Sequence, residues 1–313
     1  MTTTAEQLIR DIEDMKVKGA YLITHVALEA LALCAKEAAA EGVPILEALR
    51  AAASRLQAAQ PSMASVSNAC AYVLHPLALS ESSALTSQDI RQLVVERSQE
   101  FLDANDRAQW GVVEVGARVV QDGDVVFIHS YTGTLLEIFR HACEDGKRFR
   151  VIATEARPYC EGRFMVSELL KLGISCTLII DAAIGSYVGQ ATKSLVGCDS
   201  FLSNGDVVNK IGTQLLALAC QVHGVPLYAA GSVLKLSMRS LRGETVKMLE
   251  RPDDGNIAPV DLPDRQGLQV ENRIFDVTPG RHFAALITDQ GMLPPAAIAG
   301  FRDHPMLGLT SPI

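Results

Sequence analysis

Apolar positions recur at helical spacing through the first third of the chain and in short continuous bursts after it. Over 5–15, Leu8, Ile9, Ile12 and Met15 fall three or four residues apart, which puts them on one helical face. Residues 19–40 are rich in Ala and Leu and long enough for a buried helix. Gly42-Val43-Pro44 reads as a stop followed by a start, opening a helix over 45–59. A fourth helix is predicted over 62–74, ended by His75-Pro76, because proline disfavours helical backbone in the residue before it. A long amphipathic stretch over 87–119 carries Ile90, Leu93, Val94, Phe101 and Trp110.

Near Gly123 the period changes. Apolar runs at 125–128, 150–154, 176–180, 194–196, 227–230 and 284–288 predict strands, with helical stretches at 134–143, 164–172, 186–191 and 209–223 between them. Strands alternating with helices predict an α/β fold with a mostly parallel sheet covered on both faces. The expected organisation is an N-terminal helical domain over 1–120 and an α/β domain over 121–313. Residues 241–272 are polar, hold Pro252, Asp253, Asp254, Gly255 and Asn256, and read as a long surface loop or lid.

Composition narrows the function classes. The chain has 313 residues, 48% hydrophobic and 20% charged, which suits a sizeable core and argues against disorder. A net charge of −8 argues against nucleic-acid binding, which needs a basic face. No run of apolar residues is long enough for a membrane span, and the start lacks a basic stretch followed by an apolar core, so a cytoplasmic protein is expected. The seven cysteines include no C-x-x-C pair, and no zinc spacing or H-E-x-x-H occurs, so no metal site is expected. No G-x-G-x-x-G follows a strand, so no dinucleotide or other cofactor is indicated.

In parallel sheets ligands bind beyond the carboxyl ends of the strands. That directs attention to His129 and Ser130, Glu155 and Arg157, Asp181, Asp199, and Gly231 to Lys235. Asp199 lies among Val196, Gly197, Cys198 and Phe201; desolvation there favours the neutral acid and suits acid–base chemistry, whereas the plainer alternative is a turn cap. The segment from Asn204 to Thr213 reads as an Asn-Gly turn entering a helix beside Lys210, an anion site, or else as a hairpin turn and an ordinary capped helix. Arg157 can fork onto a phosphate or pair with a glutamate on the surface. Lys18-Gly19-Ala20 and Gln60-Pro61-Ser62 each open a helix and can present amides to an anion, as any helix start can.

Together these segments resemble the superfamily of ribose-1,5-bisphosphate isomerase, methylthioribose-1-phosphate isomerase and the α, β and δ regulatory subunits of translation initiation factor 2B. The resemblance rests on His129-Ser130, Glu155-x-Arg157-Pro158-x-x-x-Gly162, Asp181-Ala182-Ala183, Val196-Gly197-x-Asp199, and above all Asn204-Gly205-x-x-x-Asn209-Lys210-Ile211-Gly212-Thr213. Phe275-Asp276-Val277-Thr278-Pro279 is similar to the isomerases' closing motif. It implies a helical domain, a Rossmann-like domain and a site between them. The implied reaction is intramolecular aldose–ketose isomerisation of a phosphorylated pentose or related sugar 1-phosphate, with Asp199 as general acid/base. It also implies Asn209, Lys210 and Lys235 as substrate-holding residues, no cofactor, a small-molecule sugar-phosphate ligand, and a homodimer or higher homo-oligomer.

The departures are at chemically important positions. Ser130 stands where the family has its catalytic Cys, Lys18 and Gln60 stand at arginine positions, and Glu161 stands at a glutamine position. A hydroxyl is far less acidic than a thiol. Loss of an arginine and gain of a carboxylate weaken binding of a bisphosphate. Three readings fit: an isomerase for a less anionic substrate; an enzyme using Cys160 as a displaced thiol; or a non-catalytic ligand-binding regulatory protein of the initiation-factor type.

Overall fold

The computed structural model describes residues 3–17, 19–79, 85–249, 266–267 and 269–307. Lys18 and most of the predicted 241–272 loop therefore lie outside the described residues. The chain begins with five helices: α1 (Ala5–Glu13), α2 (Ala20–Glu41), α3 (Ile45–Ala59), α4 (Ala64–Leu79) and α5 (Ser87–Val119). Local chemistry sets several of their ends. Gly42 ends α2 in the left-handed conformation, φ 70°, which glycine adopts without steric cost. Thr86 and Asp89 form a reciprocal capping box that starts α5.

The expected stop at His75-Pro76 is corrected: α4 runs through Pro76 to Leu79. Proline removes the N–H that would bond the Tyr72 carbonyl one turn back. Arg97 of α5 supplies the missing donor, its Nη2 lying 3.3 Å from that carbonyl oxygen, and its guanidinium stacks 3.7 Å from the Tyr72 ring centroid.

Beyond α5 the chain alternates. β1 (Val125–Ile128), α6 (Gly133–Glu144), β2 (Arg150–Thr154), α7 (Glu161–Lys171) and β3 (Ser175–Ile179) are followed by the one-turn helix α8 (Ile184–Tyr187) and β4 (Lys193–Gly197). Then come β5 (Ser200–Phe201), β6 (Val207–Lys210), α9 (Thr213–His223), β7 (Leu227–Ala230) and the short α10 (Met238–Leu241). β8 (Phe275–Thr278), β9 (Ala285–Thr288) and β10 (Gly291–Leu293) complete the described strands. The large sheet has the order β10-β9-β7-β4-β1-β2-β3, parallel except for β10 at one edge.

The predicted helix over 209–223 is also corrected. Its first residues belong to β6, which pairs antiparallel with β5 and β8 in a separate three-stranded sheet, and the helix starts only at Thr213. This small sheet lies between two cores. Val208 and Phe275 join the helical core with Leu28, Leu31, Leu56 and Phe101, whereas Phe201 and Val207 join the core on one face of the large sheet. α5 spans the two parts of the chain: Val94 and Phe101 pack in the helical core, and Val112, Val113 and Ala117 pack against the sheet with Phe139. No helix among the described residues is long and apolar enough to cross a membrane.

Candidate active site

The strand order fixes where a ligand fits. The chain runs outward from β1 to β2 and β3, then returns to place β4 on the other side of β1. β1 and β4 therefore flank the topological switch point, where a crevice opens beyond the strand ends. His129 and Ser130 leave β1 there, and Cys198 and Asp199 leave β4.

Asp199 is partly buried, and its backbone N–H donates to the Val208 carbonyl, 2.9 Å, so the small sheet fixes its position. Burial pushes its carboxyl from 3.8 up to about 6; Lys235 and Lys210 pull the other way, and the negative charge of Glu161 adds to the rise. Among the described residues, nothing hydrogen-bonds its side chain.

Lys235 is buried, and its ammonium donates to the Cys198 carbonyl, 2.5 Å. A Cβ at Gly231 would come within 3.3 Å of the Lys235 stem, so the glycine leaves room for it. Lys210, at the end of β6, is also buried. Its Nζ lies 3.1 Å from Glu161 Oε1 and 3.0 Å from Oε2, and 5.2 Å from the Tyr159 ring centroid. Asn209 Nδ2 donates to Thr213 Oγ1, 3.0 Å, and that hydroxyl donates to the Lys210 carbonyl, 2.6 Å.

Ser130 is buried and holds the left-handed backbone conformation, φ 70°, which is strained for a residue with a Cβ. The residue before it anchors this turn. His129 Nε2–H donates to the Ile211 carbonyl, 2.7 Å, which leaves Nδ1 to accept from the Thr154 hydroxyl, 2.6 Å. Burial lowers the His129 pKa, consistent with a neutral ring in that tautomer. Gly212 is required beside it: its φ is 100°, and an added Cβ would lie 2.9 Å from the imidazole.

Several candidates have structural partners instead. Asp181 accepts from the backbone N–H groups of Ala156 and Arg157, 2.8 and 2.7 Å, and so shapes the turn after β2. Glu155 pairs with Arg163 at the surface of that turn. Arg157 lines a cavity of about 500 Å³ with Pro158, Asp181, Ile211, Gly212 and Arg273. Cys160 is half-buried in the left-handed conformation before α7, its sulfur 3.9 Å from an Arg157 nitrogen. Gln60 is buried where α3 ends. The turn after it is bonded to the residue beside Asp199: Ser200 Oγ donates to the Ser62 carbonyl, 2.6 Å, and accepts from Ala64 N–H, 2.7 Å.

The expectation for Asn204 to Thr213 is corrected in part. Asn204-Gly205 is the turn of the β5–β6 hairpin, closed by Asn204 and Asp206. The amides that start α9 already have an anion: Asp276 Oδ2 accepts from Gly212 and Gln214 N–H, 2.8 and 3.1 Å. Burial pushes Asp276 up to about 6 as well. Gly19 precedes α2 with φ 86° and no side chain caps that helix; Ala20 is its buried first residue. Among the described residues, no hydrogen bond or ion pair joins Gly19 or Ala20 to the Asp199 cluster.

Tyr159 and Asp276 as partners of the site were missed from the sequence. The signal for Asp276 was its place in the 275–279 motif, which becomes informative once β8 is paired with β6, setting Asp276 opposite Asn209.

Helical and doubly wound α/β parts, with an acid and two lysines in one electrostatic cluster beyond the sheet, define the class: a helical region joined to a mostly parallel α/β domain. The model described as the Initiation factor 2 subunit family matches residues 16–295, and the chain belongs to that family. Ribose 1,5-bisphosphate isomerase of Haloterrigena turkmenica is 36% identical over 307 residues, 95% of this chain and 91% of that protein. Among solved structures, translation initiation factor eIF-2B of Pyrococcus horikoshii OT3 is similar with a TM-score of 0.78 and 30% identity, covering 94% of this chain and 98% of that one. The 5-methylthioribose 1-phosphate isomerase of the same organism is similar with a TM-score of 0.74 and 26% identity, covering 95% and 86%.

Proposed function

We propose that the protein is an intramolecular aldose–ketose isomerase acting on a sugar 1-phosphate of the pentose type. The observation that carries this reading is Asp199: a carboxyl at the switch point, raised to about 6 by burial, without a hydrogen-bond partner among the described residues, and within the electrostatic reach of Lys235 and Lys210. The isomerase names of the relatives support it.

The reaction asks for one group that gives a proton and later takes one. The ring oxygen leaves C1 as a hydroxyl, gaining a proton. The hydrogen on C2 moves to the electron-deficient C1 with its bonding pair, as a hydride, and the C2 hydroxyl gives up its proton as the ketone forms. Asp199 donates to the ring oxygen and then accepts from the C2 hydroxyl, which a group poised near neutral pH does best. Ser130 orients the C1–C2 region by hydrogen bonding, because its hydroxyl is too weak an acid to ionise there. Arg157 and Lys235 supply positive charge for the phosphate, while Asn209 and Lys210 hold the sugar. The same reading carries self-association, which the exposed apolar row Leu215, Leu218 and Val222 on α9 supports.

The test is incubation of the purified protein with ribose 1-phosphate, ribose 1,5-bisphosphate and methylthioribose 1-phosphate, followed by NMR. At least one is expected to yield its ketose, with Asp199→Asn slowing turnover by roughly 10²-fold or more. Conversion of none, or equal turnover in the variant, contradicts the reading. Ser130, at the position of the family's thiol, favours the second reading, a non-catalytic ligand-binding protein; saturable binding without turnover is its signature.

A further inference from the structure

The pairing of Lys210 bears on how much negative charge the substrate can carry, a question that rests on the isomerase reading above. Lys210 is 4% exposed and has a carboxylate within 3.0 Å of its ammonium. An ion pair buried to this degree leaves little net positive charge for an incoming phosphate, and a dianion drawn to Lys210 also meets Glu161. Asp199 adds a second carboxyl to the same cluster, opposed by Lys235.

Two buried acceptors point the same way. Glu161 Oε2 is buried and has only the Lys210 ammonium beside it, 3.0 Å away and shared with Oε1, so lone pairs remain for a further donor. Gln60 Oε1 is buried with no donor among the described residues, in a residue only 1% exposed, at the turn that is bonded to Ser200 beside Asp199. Buried acceptors without donors are costly unless a ligand completes them. A phosphate dianion brings only acceptors, whereas sugar hydroxyls bring O–H donors.

We infer that the site takes a sugar bearing a single phosphate, whose free hydroxyls donate to Glu161 and Gln60, and that it discriminates against a bisphosphate. Glu161 is the specificity-determining residue. Neutralising it frees Lys210 for a second phosphate.

The experiment is calorimetric titration of the full-length protein and of Glu161→Gln with ribose 1-phosphate and with ribose 1,5-bisphosphate, thermal melts confirming that the variant is folded. The wild-type protein is expected to bind the monophosphate at least tenfold more tightly, and Glu161→Gln to shift the ratio at least tenfold towards the bisphosphate. Gln60→Leu, which removes an acceptor without adding charge, is expected to weaken the monophosphate and leave the bisphosphate unimproved. Equal or tighter binding of the bisphosphate by the wild type overturns the inference, as does binding of neither sugar or a ratio unmoved in a folded Glu161→Gln. If that variant does not fold, the wild-type ratio decides alone. Ketose formation is followed separately. A preference for the monophosphate without turnover would sink the isomerase reading and keep the ligand class; turnover with the bisphosphate preferred would do the reverse.

Discussion

Asp199 has a raised pKa because the fold withdraws water from it, and no donor among the described residues hydrogen-bonds its side chain in exchange. Its neighbours Lys235 and Lys210 do not cancel that effect, since Lys235 donates to the Cys198 carbonyl and Lys210 is paired with Glu161. The consequence for stability has a definite sign. A carboxyl whose pKa is 3.8 unfolded and about 6 folded is penalised by folding only where it is ionised. The penalty is absent below the ordinary carboxylate value, grows between the two, and is complete above about 6. Asp199→Asn is therefore expected to stabilise the protein at pH 8 by up to roughly 3 kcal/mol, with the gain shrinking towards zero near pH 4. Urea unfolding at both values checks it. A variant less stable than wild type at pH 8 would mean that the ionised carboxylate has stabilising partners in the folded chain.

The rescue of α4 beyond Pro76 depends on a side chain from another helix. Arg97→Ala removes both the donor to the Tyr72 carbonyl and the cation over the Tyr72 ring. A loss of about 1–2 kcal/mol is expected from denaturant titration. Arg97→Lys should recover only part of it, because an ammonium cannot both stack and reach the carbonyl as a planar fork does. An Arg97→Ala midpoint unchanged from wild type would show that the orphaned carbonyl has another donor. This contact explains why the end of α4 was not legible in the sequence, where a proline reads as a stop. The strands at 125–128, 150–154 and 227–230 were legible because burial on both faces makes them continuous apolar runs. β6 was not: Val-Val-Asn-Lys is four residues with no strong period, and its partner β8 is far along the chain. Ser130, Asp199 and Lys235 could be singled out as residues after predicted strands, and Lys210 as part of the 204–213 segment. The capping of α9 by Asp276 and the pairing of Lys210 with Glu161 are set by packing between distant segments and left no local signature.

The proposed site draws on the large sheet, the small sheet and the helical part of the chain. In it the large sheet supplies Ser130 and Asp199 and the small sheet supplies Asn209 and Lys210, while the turn after Gln60 ties the helical part to Ser200 beside Asp199. α5, packed in the helical core at Phe101 and against the sheet at Val113, holds the helical and α/β parts together. An acid poised by this assembly should announce itself in catalysis. The decisive measurement is the pH dependence of kcat at saturating sugar 1-phosphate, which reports groups in the complex with substrate. The account predicts an alkaline decline governed by a pKa at or above about 6, because ring opening needs protonated Asp199, and a residual rate in Asp199→Asn that lacks this decline. A kcat that does not fall on the alkaline side, or a decline that persists unchanged in Asp199→Asn, would contradict it.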